Sequence, residues 1–244
     1  MRRVNLIPMA GQGSRFLNAG YRIPKPLIEV GGLPMVVKSA KCLPDADRWI
    51  FICRKEHITK FGIDKILNKY FYKATILAVD YLTEGQVSTC LIAKDYLKAD
   101  DFLTIGACDN GMKYDENRFI KITKNSDAII WTFRNHPFVF GDPKMYGWVQ
   151  TNEEGRVLGV SCKTPISDNP ISDHAVSGTF TFKKAKTFLE CAEILIKKDR
   201  RINNEFYLDT LIDECVINGY EVSPLEIDKY SCWGSPNDLE SYLD

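Results

Sequence analysis

The residues most suited to chemistry are in a glycine-rich loop and a proline-flanked lysine near the start of the chain. The loop reads Pro8-Met-Ala-Gly-Gln-Gly-Ser-Arg-Phe, with Gly11 and Gly13 at alternate positions and Arg15 two residues further on. Glycines there let backbone amides turn inward and approach a polyphosphate closely. Lys25 lies between two prolines, which stiffen the segment that carries its ammonium group. The competing explanation is a plain strand-to-helix turn, because the loop lacks the third glycine of a dinucleotide fingerprint.

An aspartate at the end of an apolar run is the next candidate. The run Phe102-Leu-Thr-Ile-Gly-Ala-Cys-Asp-Asn reads as a strand that ends in Asp109. A carboxylate there suits Mg²⁺, which takes one or two carboxylates together with substrate phosphates and keeps several waters. Alternatively, Asp109 caps its own backbone in an Asp-Asn-Gly turn.

Strands and helices that alternate along the first half of the chain must position these residues. Runs of β-branched and aromatic residues predict strands at 4–8, 49–53, 74–79, 102–106 and 128–133. Helical spacing falls between them, at 35–42, 57–71, 87–96 and 116–124. This alternation predicts an α/β fold with a mostly parallel sheet, helices on both faces, and ligands beyond the carboxyl ends of the strands.

The pattern becomes mixed after about residue 140. Residues 146–150 and 156–161 predict a hairpin, 175–182 a further strand, and 184–197 and 204–217 helices. We therefore expect one domain over residues 1–244. Its first part covers 1–135, and a small mixed substrate-side lobe covers 136–244.

Composition narrows the class of protein. Lys plus Arg is 32 and Asp plus Glu is 32, and this balance predicts no nucleic-acid partner. The eight cysteines are scattered without zinc-ligand spacing, so we expect reduced, mostly buried thiols. The chain shows neither a signal peptide nor an apolar run of about 18 residues. We expect a cytoplasmic protein with no membrane partner, and leave open whether it forms a homo-oligomer.

The first forty residues resemble the sugar nucleotidyltransferases, whose signature is a G-x-G-x-R loop, a P-K-P-L segment and a G-x-P-M turn. The matching residues are Gly11, Gly13, Arg15, Lys25, Pro26, Leu27, Gly32, Pro34 and Met35. The resemblance implies a Rossmann-like, GT-A-like fold, with a nucleotide-binding part at 1–135 and an acceptor-binding part at 136–244. It also implies that Ala10, Gly11, Gly13 and Ser14 wrap a nucleoside triphosphate, that Arg15 and Lys25 act as catalytic cations, and that Asp109 binds Mg²⁺.

The resemblance extends, less closely, to later segments. It implies that Gly85 and Gln86 form a base-reading turn, although they could simply open a helix. It implies that Lys163 holds the acceptor phosphate, and that Gly178 and Glu205 line the acceptor pocket unless they serve packing or capping. Two positions depart from the family: Cys162 replaces an acid, and Cys232 stands where a second metal-binding aspartate is usual. Asp228 is the substitute ligand we predict.

The activity so implied is magnesium-dependent transfer of a nucleoside monophosphate from a triphosphate to a phosphorylated metabolite, with release of pyrophosphate. The favoured acceptor is a sugar 1-phosphate, for cell-surface polysaccharide or related precursors. Because the second pKa of a phosphate monoester is about 6, the acceptor is already a nucleophile at neutral pH. No catalytic histidine is needed, and His57, His136 and His174 are interpreted as structural or exposed.

Three alternatives remain at this point. The altered acceptor motifs leave room for a cytidylyltransferase acting on phosphocholine or a phosphorylated amino acid. The missing second carboxylate leaves room for a catalytically silent, nucleotide-sugar-binding regulator. A nicotinamide-dependent oxidoreductase is disfavoured, because neither the third glycine nor an acidic ribose ligand is found at the expected spacing.

Overall fold

The computed structural model describes residues 1–243 of the chain. Its strands are β1 (Arg3–Met9), β2 (Glu29–Val30), β3 (Leu33–Pro34), β4 (Arg48–Arg54), β5 (Thr75–Val79), β6 (Phe102–Ile105), β7 (Asn110–Lys113), β8 (Ala128–Phe133), β9 (Gly147–Thr151), β10 (Val157–Cys162), β11 (His174–Phe182), β12 (Val222–Glu226) and β13 (Lys229–Cys232). Its α-helices are α1 (Ser14–Asn18), α2 (Met35–Ala40), α3 (Lys55–Phe61), α4 (Ile63–Tyr70), α5 (Gln86–Leu91), α6 (Glu116–Asn125), α7 (Ala185–Lys197), α8 (Leu208–Ile217) and α9 (Pro236–Leu243).

The first half of the chain builds a parallel sheet, as predicted. Strands β6, β1, β4 and β5 lie side by side in that order, and each neighbouring pair is parallel. Their near-continuous apolar sequences fit a sheet that is covered on both faces. All four strands therefore end at the same edge, which is where the predicted ligand loops emerge.

The second half of the chain extends this sheet rather than forming a separate layer. Strand β11 pairs antiparallel with β6, and also with β8 and β9, while β12 pairs parallel with β8. The hairpin of β9 and β10 closes that side of the sheet, as the sequence predicted. The central sheet is thus mostly parallel near β1 and mixed beyond β6.

The two faces of the sheet carry separate apolar cores. Along β1, Val4 and Leu6 enter one core and Ile7 and Met9 the other, following the two-residue alternation of a strand. Helices α5, α7 and α8 cover the first face, and α2, α4 and α6 cover the second. This arrangement confirms the predicted three-layer α/β fold. Within residues 1–243, every helix is too short or too polar to cross a bilayer.

Three predicted helices have different bounds in the structure. The helix expected at 57–71 is divided into α3 and α4 at Gly62, whose φ of 61° is left-handed. The helix expected at 204–217 begins only at Leu208, because Asn203 and Asn204 have φ values of 50° and 64°. The helix expected at 87–96 ends at Leu91 and is followed by a 3₁₀ turn.

Candidate active site

A crevice of about 320 Å³ opens at the carboxyl edge of the parallel strands. Most of the residues singled out in the sequence lie on its wall. They are Ala10, Gly11, Gly13, Ser14, Arg15, Lys25, Gly85, Gln86, Asp109, Gly178 and Glu205. The parallel sheet brings these distant segments together, because its strands all end at one edge.

The glycine-rich loop connects β1 to the short helix α1 and packs against Lys25. Gly13 has a φ of 64°, and its carbonyl accepts hydrogen bonds from the amides of Phe16 and Leu17. A Cβ on Gly13 would lie 3.2 Å from the Cβ of Lys25. A side chain at this position would be strained and would also press on Lys25, so the close approach of loop and lysine depends on glycine.

Lys25 is held at the centre of the crevice by a braced backbone and two polar contacts. It begins a 3₁₀ turn directly after Pro24, whose backbone is extended. Its Nζ lies 2.5 Å from Oδ2 of Asp109 and donates to the Gly234 carbonyl at 3.0 Å. The ammonium also faces the ring of buried Phe16, 5.5 Å from its centroid. The predicted cation and the predicted carboxylate are therefore direct partners.

Each member of this ion pair stabilises the charge of the other. Burial, the largest single cause, would lower the pKa of Lys25, but the charge and hydrogen bond of Asp109, together with Cys108, raise that pKa above its ordinary value. Burial alone would raise the pKa of Asp109, but the charge and hydrogen bond of Lys25 hold that pKa below its ordinary value. Both groups are therefore charged at neutral pH.

Arg15 adds a second positive charge to the same crevice. Its side chain is exposed, and it forms no ion pair with any residue in the range 1–243. Its charge nevertheless contributes to lowering the pKa of Asp109. Arg15 is thus a guanidinium directed at the crevice and available to an anion, as phosphate recognition requires.

The donor atoms around Asp109 suit magnesium only with ligands from the substrate. Burial raises the pKa of Cys232 to about 12, so Cys232 is a neutral thiol and not a hard oxygen ligand. Asp109 and Asp238 both lie close to Gly234, because a Cβ on Gly234 would lie 3.6 Å from Oδ2 of Asp109 and 3.8 Å from Oδ2 of Asp238. Asp238, however, already accepts hydrogen bonds from neighbouring side chains. Among residues 1–243, no group of three or more His, Cys, Asp or Glu side chains is arranged to hold a metal. Asp109 would hold Mg²⁺, with waters and phosphates completing the shell.

The structure does not bring Asp228, the predicted second metal ligand, to Asp109. Strands β7 and β13 pair so that Cys232 faces Asn110, while Asp228 lies just beyond the opposite end of the ribbon. At the rise of an extended strand, that end is about 13 Å from the Asp109 end. Asp228 is instead half-exposed and pairs with Arg118.

The predicted base-reading turn makes an unexpected contact with the second half of the chain. The amide N–H of Leu208 donates to Oε1 of Gln86 at 3.2 Å. A Cβ on Gly85 would lie 2.7 Å from the backbone nitrogen of Phe206. The turn therefore lies on the crevice as predicted, but the amide oxygen of Gln86 is already engaged.

The acceptor side of the crevice contains two of its three predicted residues. Glu205 lies exposed on the wall, and Gly178, with a φ of 86°, occupies an irregular stretch of β11. Lys163 is absent from the wall, contrary to the prediction. Its Nζ donates to the Met145 carbonyl at 3.1 Å and lies 5.5 Å from the centroid of the Tyr207 ring.

His57 lines the crevice, although sequence analysis did not place it there. It is 5% exposed, and its Nδ1 has no hydrogen-bond partner among residues 1–243. Burial is the main cause that lowers its pKa, so the imidazole is neutral at neutral pH. Its position soon after β4, the strand beside β1, is the signal that could have identified it.

Asp209 is a second residue that sequence reasoning missed. Burial raises its pKa to about 6, while the charge of Lys163 and a hydrogen bond from Cys162 oppose that shift. Gly147 leaves room for its carboxylate, because a Cβ there would collide with Oδ2 of Asp209. A carboxylate kept in a desolvated position beside a cation is typical of functional sites. Asp209 is thus a further candidate functional residue, which lies beside Lys163 and, like it, is not on the wall of the crevice.

The chain matches the family described as nucleotidyl transferase over residues 4–220. No curated protein matches its sequence.

Solved structures share the fold across nearly the whole chain. The nucleoside-diphosphate-sugar pyrophosphorylase from Vibrio cholerae RC9 is 22% identical, with a TM-score of 0.79 over 98% of this chain and 99% of that one. The inositol-1-phosphate CTP transferase from T. maritima is 14% identical, with a TM-score of 0.75 over 99% and 94%. The UDP-glucose pyrophosphorylase from Acinetobacter baumanii is 18% identical, with a TM-score of 0.72 over 100% and 92%.

Proposed function

The chain belongs to the nucleotidyl transferase family, and we propose that it transfers a nucleoside monophosphate from a triphosphate to a sugar 1-phosphate, releasing pyrophosphate. It is thus a nucleotidyltransferase of the sugar-phosphate pyrophosphorylase kind. Its product would serve as a precursor for surface polysaccharide or related polymers. The observation that carries the proposal is the direct pairing of Lys25 with Asp109 beneath the glycine-rich loop.

The main barrier to this reaction is repulsion between two polyanions. At an effective dielectric constant of about 20, two like charges about 4 Å apart repel by roughly 4 kcal/mol. Arg15, Lys25 and the inward-facing amides of the loop would offset this repulsion and hold the triphosphate with its α-phosphorus accessible. The acceptor phosphate then forms a new P–O bond as the bond to pyrophosphate breaks, without a protein nucleophile.

Magnesium on Asp109 would supply further positive charge to the triphosphate and the departing pyrophosphate. Lys25 would keep Asp109 ionised and so able to bind the metal. The same contact explains why an aspartate in a partly buried position has a pKa below its ordinary value.

A second candidate acceptor is a phosphate carried by a non-sugar compound. One neighbour in fold is named an inositol-1-phosphate CTP transferase. In addition, Cys162 stands where the sugar nucleotidyltransferase motif usually has an acid. This alternative retains the nucleotide side of the site and changes only the acceptor. Phosphocholine and phosphorylated amino acids belong in the test for that reason.

The proposal is tested by measuring released pyrophosphate. Each of ATP, CTP, GTP, UTP and dTTP is combined with Mg²⁺ and a panel of hexose and heptose 1-phosphates, phosphocholine and phosphoserine. We expect one pairing to dominate. Lys25→Met and Asp109→Asn should each lower kcat/KM at least about 100-fold, the usual loss for an electrostatic contact to the transition state.

A matched control separates this effect from a general loss of charge. Lys184→Met makes the same change at an exposed lysine that pairs with exposed Asp100 outside the crevice. It should leave kcat/KM within about twofold. Near-normal turnover by folded Lys25→Met would contradict the proposal. Triphosphate binding without pyrophosphate release from any pairing would instead support the silent regulator.

A further inference from the structure

Two segments that border the crevice from opposite halves of the chain are joined by their main chains. They are residues 84–87 and 205–208, together called here the cross-lobe bridge. The amide of Phe206 donates to the Glu84 carbonyl at 2.8 Å, and the amide of Val87 donates to the Phe206 carbonyl at 3.0 Å. The predicted nucleotide-side turn is thus bonded directly to the acceptor-side segment.

Gln86 completes the bridge through its side chain. Helix α8 starts at Leu208, and its N-cap residue, Tyr207, makes no capping hydrogen bond with its side chain. The first amides of a helix lack partners within the helix. Gln86 supplies one, because its Oε1 accepts from the Leu208 amide at 3.2 Å. A residue on the nucleotide side therefore caps a helix on the acceptor side.

The packing at the cross-lobe bridge leaves little room for residues 84–87 and 205–208 to move independently of each other. A Cβ on Gly85 would lie 2.7 Å from the nitrogen and 2.8 Å from the oxygen of Phe206, and 3.0 Å from the Cβ of Glu205. Phe206 itself is fully buried. A shift of the turn must therefore be accompanied by a shift of residues 205–208.

We propose that Gln86 is a positioning residue that couples the two halves of the crevice. Gly85, Gln86, Glu205 and Leu208 all line the crevice. The first two are the predicted nucleotide contacts, and Glu205 is a predicted acceptor contact. A triphosphate that orders the turn would, through Gln86, order the start of α8 and place Glu205 for the acceptor. This inference rests on the proposed function for the identity of the two ligands. It assigns Gln86 to acceptor placement rather than to reading of the base.

Binding linkage makes the coupling reciprocal and sets its size. If the triphosphate improves acceptor affinity by some factor, the acceptor improves triphosphate affinity by the same factor. A single neutral hydrogen bond corresponds to about a fivefold change in affinity. Loss of the Gln86 contact should therefore weaken acceptor binding about fivefold when the triphosphate is present.

Amide hydrogen exchange, measured by NMR on the full chain, tests the structural step. The variants are Gln86→Met, which removes the acceptor oxygen, and Gln86→Glu, which retains one. Gln150→Met is the matched control, since Gln150 is exposed on β9 and outside the crevice. In the wild type, Mg²⁺ with at least one of ATP, CTP, GTP, UTP and dTTP should slow exchange at Leu208 about fivefold. Gln86→Met should abolish the slowing, and the other two variants should retain it.

Steady-state kinetics test the functional step. With the best substrate pair, Gln86→Met should raise KM for the acceptor about fivefold and leave KM for the triphosphate within about twofold. Gln86→Glu should largely restore the acceptor KM. A rise in the triphosphate KM alone would overturn the proposal and favour base reading.

The exchange result separates this proposal from the proposed function. The coupling is overturned if no triphosphate slows exchange at Leu208 in the wild type. It is also overturned if triphosphate slows that exchange as much in Gln86→Met as in the wild type. If the slowing occurs as expected but no acceptor releases pyrophosphate, the proposed function fails while the coupling stands.

Discussion

At the residue scale, Asp209 illustrates how burial and charge compete on the acceptor side. Burial raises its pKa from an ordinary value of 3.8 to about 6, against the attraction of Lys163. In the unfolded chain Asp209 loses this environment, so the folded protein binds the proton more tightly. The contribution of Asp209 to the free energy of unfolding therefore becomes more favourable as pH falls from about 6 towards 4. Above about pH 6, the ionised carboxylate destabilises the folded protein by a constant amount.

Asp209→Asn should remove this cost. We expect the midpoint of thermal unfolding to rise by roughly 4 °C at pH 7.5, and the gain to shrink below about pH 6 to about half near pH 5, because the unfolded chain's Asp209 is still ionised there. Thermal unfolding followed by circular dichroism from pH 4.5 to 8 measures the difference. Asp80→Asn, at an exposed position, is the control and should give no such pH dependence. A gain that grows as pH falls would contradict the assigned pKa direction.

At the element scale, the turn between β5 and α5 depends on the absence of a side chain. Gly85 has a φ of 107°, and a Cβ there would collide with the backbone of Phe206. The conformation and the contact both require glycine, so strain and collision add.

Gly85→Ala should therefore lower both stability and triphosphate affinity. We expect the midpoint of thermal unfolding to fall by about 5 °C or more and triphosphate affinity to drop about tenfold. Gly155→Ala isolates the strain, because Gly155 has a φ of 78° but nothing within 4 Å of a Cβ. Titration of each variant with Mg²⁺ and triphosphate, alongside thermal unfolding, gives both quantities. Equal behaviour of the two variants would mean that the collision has no effect.

At the scale of the whole molecule, one sheet joins the two halves of the chain on either side of the crevice. Strand β11 from the second half lies beside β6 from the first. A ligand in the crevice thus contacts both halves, and its binding should stabilise the whole fold against unfolding.

A triphosphate at about 100 times its Kd should add about 2.7 kcal/mol to the free energy of unfolding, provided that it binds only the folded chain. We expect the unfolding midpoint to rise by about 5–10 °C with Mg²⁺ present. With EDTA the rise should fall by more than half, because Arg15 and Lys25 must then offset the phosphate charge alone. Differential scanning calorimetry measures both shifts, with Mg²⁺ alone as the blank. If the midpoint rises as much in EDTA as with Mg²⁺, triphosphate binding does not depend on the metal.

The predictable part of the site was its nucleotide side. Gly13, Lys25 and Asp109 lie in short segments whose composition alone restricts backbone shape and charge, and the structure gathers them in one crevice. The acceptor side was less predictable. The structure places Asp228 in a surface ion pair and turns Lys163 towards Met145, because such partners depend on strand register and loop paths that local sequence does not encode.

Local sequence alone determined the parallel strands, the glycine-rich loop and the braced lysine, because side-chain periodicity, glycine and proline act within a few residues. Only the tertiary structure decided that His57 lines the crevice, that Asp209 is buried beside Lys163, and that Gln86 caps a helix from the other half of the chain. Those facts depend on which distant segments meet at the edge of the sheet. Burial and hydrogen-bond partners exist only once the chain has packed.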